Sequence, residues 1–138
     1  MRLLTLTAAI LVIGVALILV FQFPRSRNQG APAFTRVGRS GPIFTVAVPL
    51  SASTDDQYLV HVADQLSQEE LTSGASGQIS VMFWPEGVTV PKDPPSTDLD
   101  PSMKTQIAGV FINPKLHIRH LIRFHDGETV AEKEYGVR

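Results

Sequence analysis

The sequence predicts an α+β domain behind a single transmembrane helix. Three observations carry this: an uncharged apolar run at the amino terminus, one capped segment of helical periodicity, and several short segments of strand length and pattern. Together they predict a βαβ unit followed by an antiparallel β-hairpin, with one helix packed on a four- to five-stranded sheet. The expected boundaries are 1–23 for the anchor, 24–42 for a flexible basic linker and 43–138 for the folded domain.

From Leu3 to Val20 no residue is charged, and Thr5 and Thr7 are the only polar side chains. At about 1.5 Å rise per residue, Leu3–Phe23 spans roughly 31 Å, the thickness of a hydrocarbon core. A helix satisfies its own backbone there, whereas a helix apolar all round needs a larger protein than this to bury it. A secretory signal peptide competes, with Arg2 ahead of the run and Ala31-Pro32-Ala33 as a small-x-small cleavage pattern near Ala33. The run exceeds an ordinary signal h-region, and Arg25 and Arg27 separate it from that site, which favours an uncleaved anchor. Orientation stays open. The arginines after the run favour a cytoplasmic domain. A two-residue tail before it is the ordinary form of a protein that exports its carboxyl-terminal part, and the reading leans to an extracytoplasmic domain.

The net charge of −1 conceals an asymmetry. Residues 24–42 carry four Arg and no acid, hence +4; residues 43–138 carry four Lys and three Arg against thirteen acids, hence −6. An acidic domain lacks the basic footprint that nucleic acid requires. The expected partners are therefore the lipid bilayer, through residues 3–23, and an unidentified protein. Zero cysteines excludes thiol chemistry and fits either redox compartment.

In the domain, Ile43–Leu50 alternates Phe44, Val46 and Val48 on one face and ends at Pro49, which predicts a strand. Thr54-Asp55-Asp56-Gln57 has capping-box form, and Leu59, Val62, Ala63 and Leu66 succeed it as one helical stripe that stops near Gly74. A strand at Tyr58–Ala63 with a shorter helix from Ser67 is the alternative. Gln78–Trp84 predicts the clearest strand, with Ile79, Val81 and Phe83 on one face and Met82 and Trp84 on the other. Residues 85–104 form a long loop with five prolines, a length that marks a functional or disordered segment. Gln106–Ile112 is a further strand, turned by Asn113-Pro114.

Asp126-Gly127 marks a type I′ hairpin turn between Leu116–Phe124 and Thr129–Tyr135. Counting outward pairs His125 with Glu128, Ile122 with Ala131, Arg119 with Glu134 and Ile118 with Tyr135. This register puts Leu116, Ile118, His120, Ile122 and Phe124 on the core face. His117, Arg119, Arg123 and His125 then form a solvated ladder with Glu132 and Glu134.

No catalytic constellation emerges, so a non-enzymatic accessory or interaction module is the expectation. His117 and His120 fall on opposite faces of one strand, and His117 and His125 stand about 26 Å apart at 3.3 Å per residue, so neither pair grips one ion. Asp93, Asp98 and Asp100 lack the spacing of a calcium loop; no cofactor or metal is expected. The surface singled out for a partner is Trp84, Pro85, Asp98 and Asp100. A small-ligand or metal-responsive domain using the 84–104 region is the alternative.

TDDQYLVHVADQL, QISVMFWPEG and IAGVFINPKLHIRHL together resemble a family of small bacterial secreted or membrane-anchored α+β domains of unknown function. In that family a capped helix precedes an aromatic strand ending in a Pro-x-Gly turn, here Trp84-Pro85-Glu86-Gly87. The next strand has an aromatic-Asn-Pro ending, and Phe111-Ile112-Asn113-Pro114 stands at that place here. The tryptophan usual before that second strand is replaced by Lys104-Thr105-Gln106. The resemblance implies a small envelope domain and no activity.

Overall fold

A computed structural model describes residues 32–97 and 99–136. The expected anchor at 1–23 and the tether up to residue 31 lie outside the described residues. Among the described residues no helix is long and apolar enough to cross a membrane.

Six strands and one long helix run in the order β1 (Thr35–Ser40), β2 (Ile43–Val48), α1 (Asp56–Thr72), β3 (Ile79–Pro85), β4 (Ala108–Asn113), β5 (Ile118–His125) and β6 (Glu128–Glu134). They form one sheet in strictly sequential order. Only β2 and β3 are parallel, bridged by α1 as the βαβ reading requires, and every other pair is antiparallel.

Helix α1 takes the longer of the two expected forms. Its N-cap is Asp55, whose Oδ1 accepts the Gln57 and Tyr58 amides at 3.0 and 3.2 Å, so the cap falls one residue beyond the expected Thr54. Leu59, Val62, Ala63 and Leu66 are at most 1% exposed. They rest on Phe44, Val46, Val81, Phe83, Val110, Ile112 and Leu121 of the sheet. Burying each large side chain of this set contributes about 1.5–3 kcal/mol.

Two expectations are corrected. Thr35–Ser40, assigned to the flexible linker, is the edge strand β1, which raises the strand count to six. Arg36 and Arg39 therefore belong to the folded sheet. Arg39 donates to both carboxylate oxygens of Glu70 at 2.7 Å and lies 4.8 Å over the Phe44 ring, and Arg36 pairs with Glu69.

The hairpin register is the second correction. Asp126 and Gly127 both take positive φ, as a type I′ turn demands, and His125 does oppose Glu128. A bulge then shifts β6 by one residue, so Arg123 opposes Ala131 and Ile122 opposes Glu132. The face assignment of β5 is reversed. Leu121 is the buried residue, and Arg119 and Arg123 beside it point to α1 rather than to solvent. Arg119 Nε donates to Asp64 at 2.7 Å; Arg123 Nε donates to Asp56 at 2.7 Å and its Nη1 to the Ser53 carbonyl at 2.6 Å. Ile118, His120, Ile122 and Phe124 occupy the opposite face, while Leu116 lies in a 3-10 turn and is 65% exposed.

The arginine pairs differ in burial, and that difference sets their worth. The Arg123 side chain is 15% exposed and Arg36 is 47% exposed. Arg123→Ala removes the guanidinium from Asp56, which keeps only a 3.5 Å contact from the Tyr135 hydroxyl, and from the Ser53 carbonyl, and is expected to cost about 1.5–3 kcal/mol. Arg36→Ala is expected to cost under about 1 kcal/mol. Urea midpoints of the two variants check this; equal losses would place the anchoring elsewhere.

Candidate functional site

The sheet's second face, opposite α1, is covered unequally. Direct pairing fixes which side chains share it. One row runs Thr45, Met82, Gly109, Ile122, Glu132 across β2 to β6, and a second runs Ile43, Ser80, Phe111, His120, Glu134. Over β1 and β2, and over the Trp84 end of β3, the loop between β3 and β4 lies on this face. The returning arm reaches the β5–β6 turn, where the Met103 carbonyl lies 3.9 Å from the Cβ position of Gly127, and Met82 of β3, Phe111 of β4, and Ile122 and Phe124 of β5 stay half-buried.

That loop is ordered, and four of its contacts account for this. The Glu86 amide donates to the Val48 carbonyl at 2.8 Å, so the loop leaves β3 as a continuation of the parallel pair. The Lys92 carbonyl packs against Gly38 of β1 so closely that a Cβ there would overlap it. Asp100 caps the 3-10 turn Pro101–Lys104, accepting the Ser102 amide at 2.9 Å and its hydroxyl at 2.7 Å. Trp84 Nε1 donates to the Ser102 carbonyl at 2.8 Å. The indole thus ties the returning arm of the loop to the sheet, and Trp84 is wholly buried.

This assigns structural work to the residues singled out in the sequence. Trp84 carries no accessible surface and so presents none to a partner. Pro85 closes β3 opposite Val48. Asp100 is a turn cap, and the hydrogen bonds from Ser102 hold its carboxyl below the ordinary value of 3.8. Asp98 lies outside the described residues. A shallow cleft of about 470 Å³ runs between Val88, Thr89 and Pro91 on one arm of the loop and Asp100, Pro101, Ser102 and Thr105 on the other.

The histidines do not converge. His120 sits on the second face, opposite Glu134 and 3.5 Å from Glu132 Oε2, not on the core face as expected. His61 is on the solvent side of α1, His117 takes the left-handed conformation after a 3-10 turn, and His125 precedes the hairpin turn. Among the described residues no three His, Asp or Glu side chains gather as a metal would need.

The residues that sequence reasoning missed are those of the open face. Both alternating sets of β5 carry apolar residues, so period two alone could not say which set turns inward. One signal was available. Asp56 and Asp64 are about 12 Å apart along a helix, and Arg119 and Arg123 about 13 Å apart along a strand, a match that a charged helix–strand seam requires.

Two predictions concern the loop. Trp84 is the sole tryptophan, so its fluorescence reports the loop's closure. Gly38→Ala must expel the Lys92 carbonyl and is expected to cost about 1–3 kcal/mol and red-shift the emission; an unchanged spectrum would free the loop from this packing. The Asp100 cap has a depressed folded-state pKa, so its contribution is complete above the ordinary aspartate value and is lost as pH falls through the lower one. Accordingly, the stability gap between wild type and Asp100→Asn, measured by thermal melts, should be constant from pH 5 to pH 7 and close at more acidic pH.

No family model, no curated protein and no solved structure matches this chain.

Proposed function

We propose that this protein is a non-enzymatic interaction domain, tethered to a membrane through residues 3–23, that presents the half-covered sheet face over β3 to β5 to a protein partner. The observation that carries this reading is the inequality of the two faces. One is sealed by α1, and the other leaves Met82, Phe111, Ile122 and Phe124 half-buried around Gly109. Part-exposed apolar side chains grouped on one sheet face are a surface that a partner can cover. The ionisable groups with special contacts, Asp56, Asp64, Asp100, Arg119 and Arg123, are all engaged in holding the fold, which leaves them unavailable as reagents. The resemblance to membrane-anchored envelope domains agrees with a tethered module, and the extracytoplasmic side is the compartment proposed for it.

A second reading, a domain responding to a small ligand, draws on the cleft between Thr89 and Asp100. The two readings place the partner on different atoms.

Photo-crosslinking separates them. A benzophenone side chain placed at Phe111, at Ile122 or at the exposed Gln68 of α1 is activated in cells expressing the full chain. A discrete protein adduct at positions 111 and 122 but not 68, recovered with membranes, is the expected result. Adducts at all three positions, or at none, would remove the open face as the interaction site, and full-length chain in the aqueous fraction would remove the tether.

A further inference from the structure

We propose that the open face receives an amphipathic α-helix of the partner, apolar on one stripe and rich in Lys or Arg along one flank. This deepens the interaction reading above and rests on it. The shape argument is dimensional. The uncovered strip spans β3 to β5, three strands spaced about 4.8 Å apart, which is the width of one helix with its side chains. Near its centre Gly109 has no side chain, and the Phe124 ring and the Gln106 amide fill the space above it, 3.6 and 3.8 Å from where a Cβ would stand. Met82, Ile122 and Phe111 surround it.

Charge sets the chemistry of the occupant. Along the β6 side both rows end in acids, Glu132 beside Ile122 and Glu134 beside His120, on a strand that is exposed throughout. The opposite face shows how this chain closes such a surface. There the sheet's flanks carry Arg36, Arg39, Arg119 and Arg123, and the covering helix brings Glu69, Glu70, Asp64 and Asp56 to meet them. The open face has the opposite sign at its rim and so selects a helix of the opposite sign. A second copy does not fit, because its own open face would bring Glu132 and Glu134 against the same acids, and its α1 contains no Lys or Arg. A strand added at β6 would likewise have to match Glu128, Glu132 and Glu134.

The test uses the full chain in phosphatidylcholine nanodiscs, with empty discs as the blank. Three labelled 18-residue peptides are titrated by fluorescence anisotropy: one with a leucine stripe flanked by lysines, its glutamate counterpart, and a scramble of the lysine peptide. The lysine peptide is expected to bind about five- to ten-fold more tightly than either of the others. Glu132→Lys with Glu134→Lys, both on an exposed strand, should reverse the preference toward the glutamate peptide. Ile122→Asp should abolish binding of both, with circular dichroism melts confirming that it folds. Binding by none of the peptides, equal binding of peptide and scramble, or an unreversed preference would each overturn the proposal. So would a doubling of mass in sedimentation that Ile122→Asp removes, which assigns the face to a second copy. If the peptides fail while the photo-adduct at position 122 persists, the helix is wrong and the interaction reading stands; if both fail, both fall.

Discussion

The seam between α1 and the sheet is the constraint on which the other features of the domain depend. Its centre is ordinary: Leu59, Val62, Ala63 and Leu66 against the inward residues of β2, β3, β4 and β5. Its margins are not. Arg36 and Arg39 on β1 reach the acids near the carboxyl end of the helix, and Arg119 and Arg123 on β5 reach Asp64 and Asp56. Glu69 and Glu70 near a helix C-terminus oppose the helix dipole, and α1 has no basic residue of its own in that turn. The two β1 arginines supply the missing positive charge. Long guanidinium side chains can leave a half-apolar strand, cover its hydrophobic neighbours with their methylenes and still end on a carboxylate. Apolar burial supplies most of the energy, and the ion pairs at both margins add orientation to it.

Commitment of the one long helix to one face leaves the other to be closed by different means. The β3–β4 loop closes the β1 and β2 part, and two of the contacts that hold it there are the indole–carbonyl bond from Trp84 to Ser102 and the approach of the Lys92 carbonyl to Gly38. A proline-rich segment serves this purpose well, since its restricted backbone has less entropy to lose on being pinned. Between the loop and β6, side chains of β3, β4 and β5 stay half-buried. The surface proposed for a partner is thus a consequence of how far one loop and one helix extend, combined with an acidic outer strand that discourages edge pairing.

The charge pattern gains a different meaning once β1 is counted as part of the sheet. Read along the chain, a basic tether precedes an acidic domain. In the fold, two of the tether's four arginines neutralise acids of α1, and the exposed acids that remain include those of β6. The electrostatic character of the domain is therefore local: an arginine-flanked seam on one face and a glutamate rim on the other.

What the sequence by itself determined is everything governed by local rules. The capped helix and its apolar stripe, the strands at β2, β3 and β4, the parallel crossover and the glycine turn at Asp126-Gly127 all arise from residues close in the chain. The tertiary structure decided three things. It recruited Thr35–Ser40 from an apparent linker, because pairing with an edge is a non-local event that a short polar strand does not announce. It chose which side of β5 turns inward, because both sides carried apolar residues and the choice rested on acids of the helix some sixty residues away. And it buried Trp84 beside a loop pinned through the carbonyls of Lys92 and Ser102, since a side chain's cover is set by whatever packs on it and not by its own neighbours in sequence.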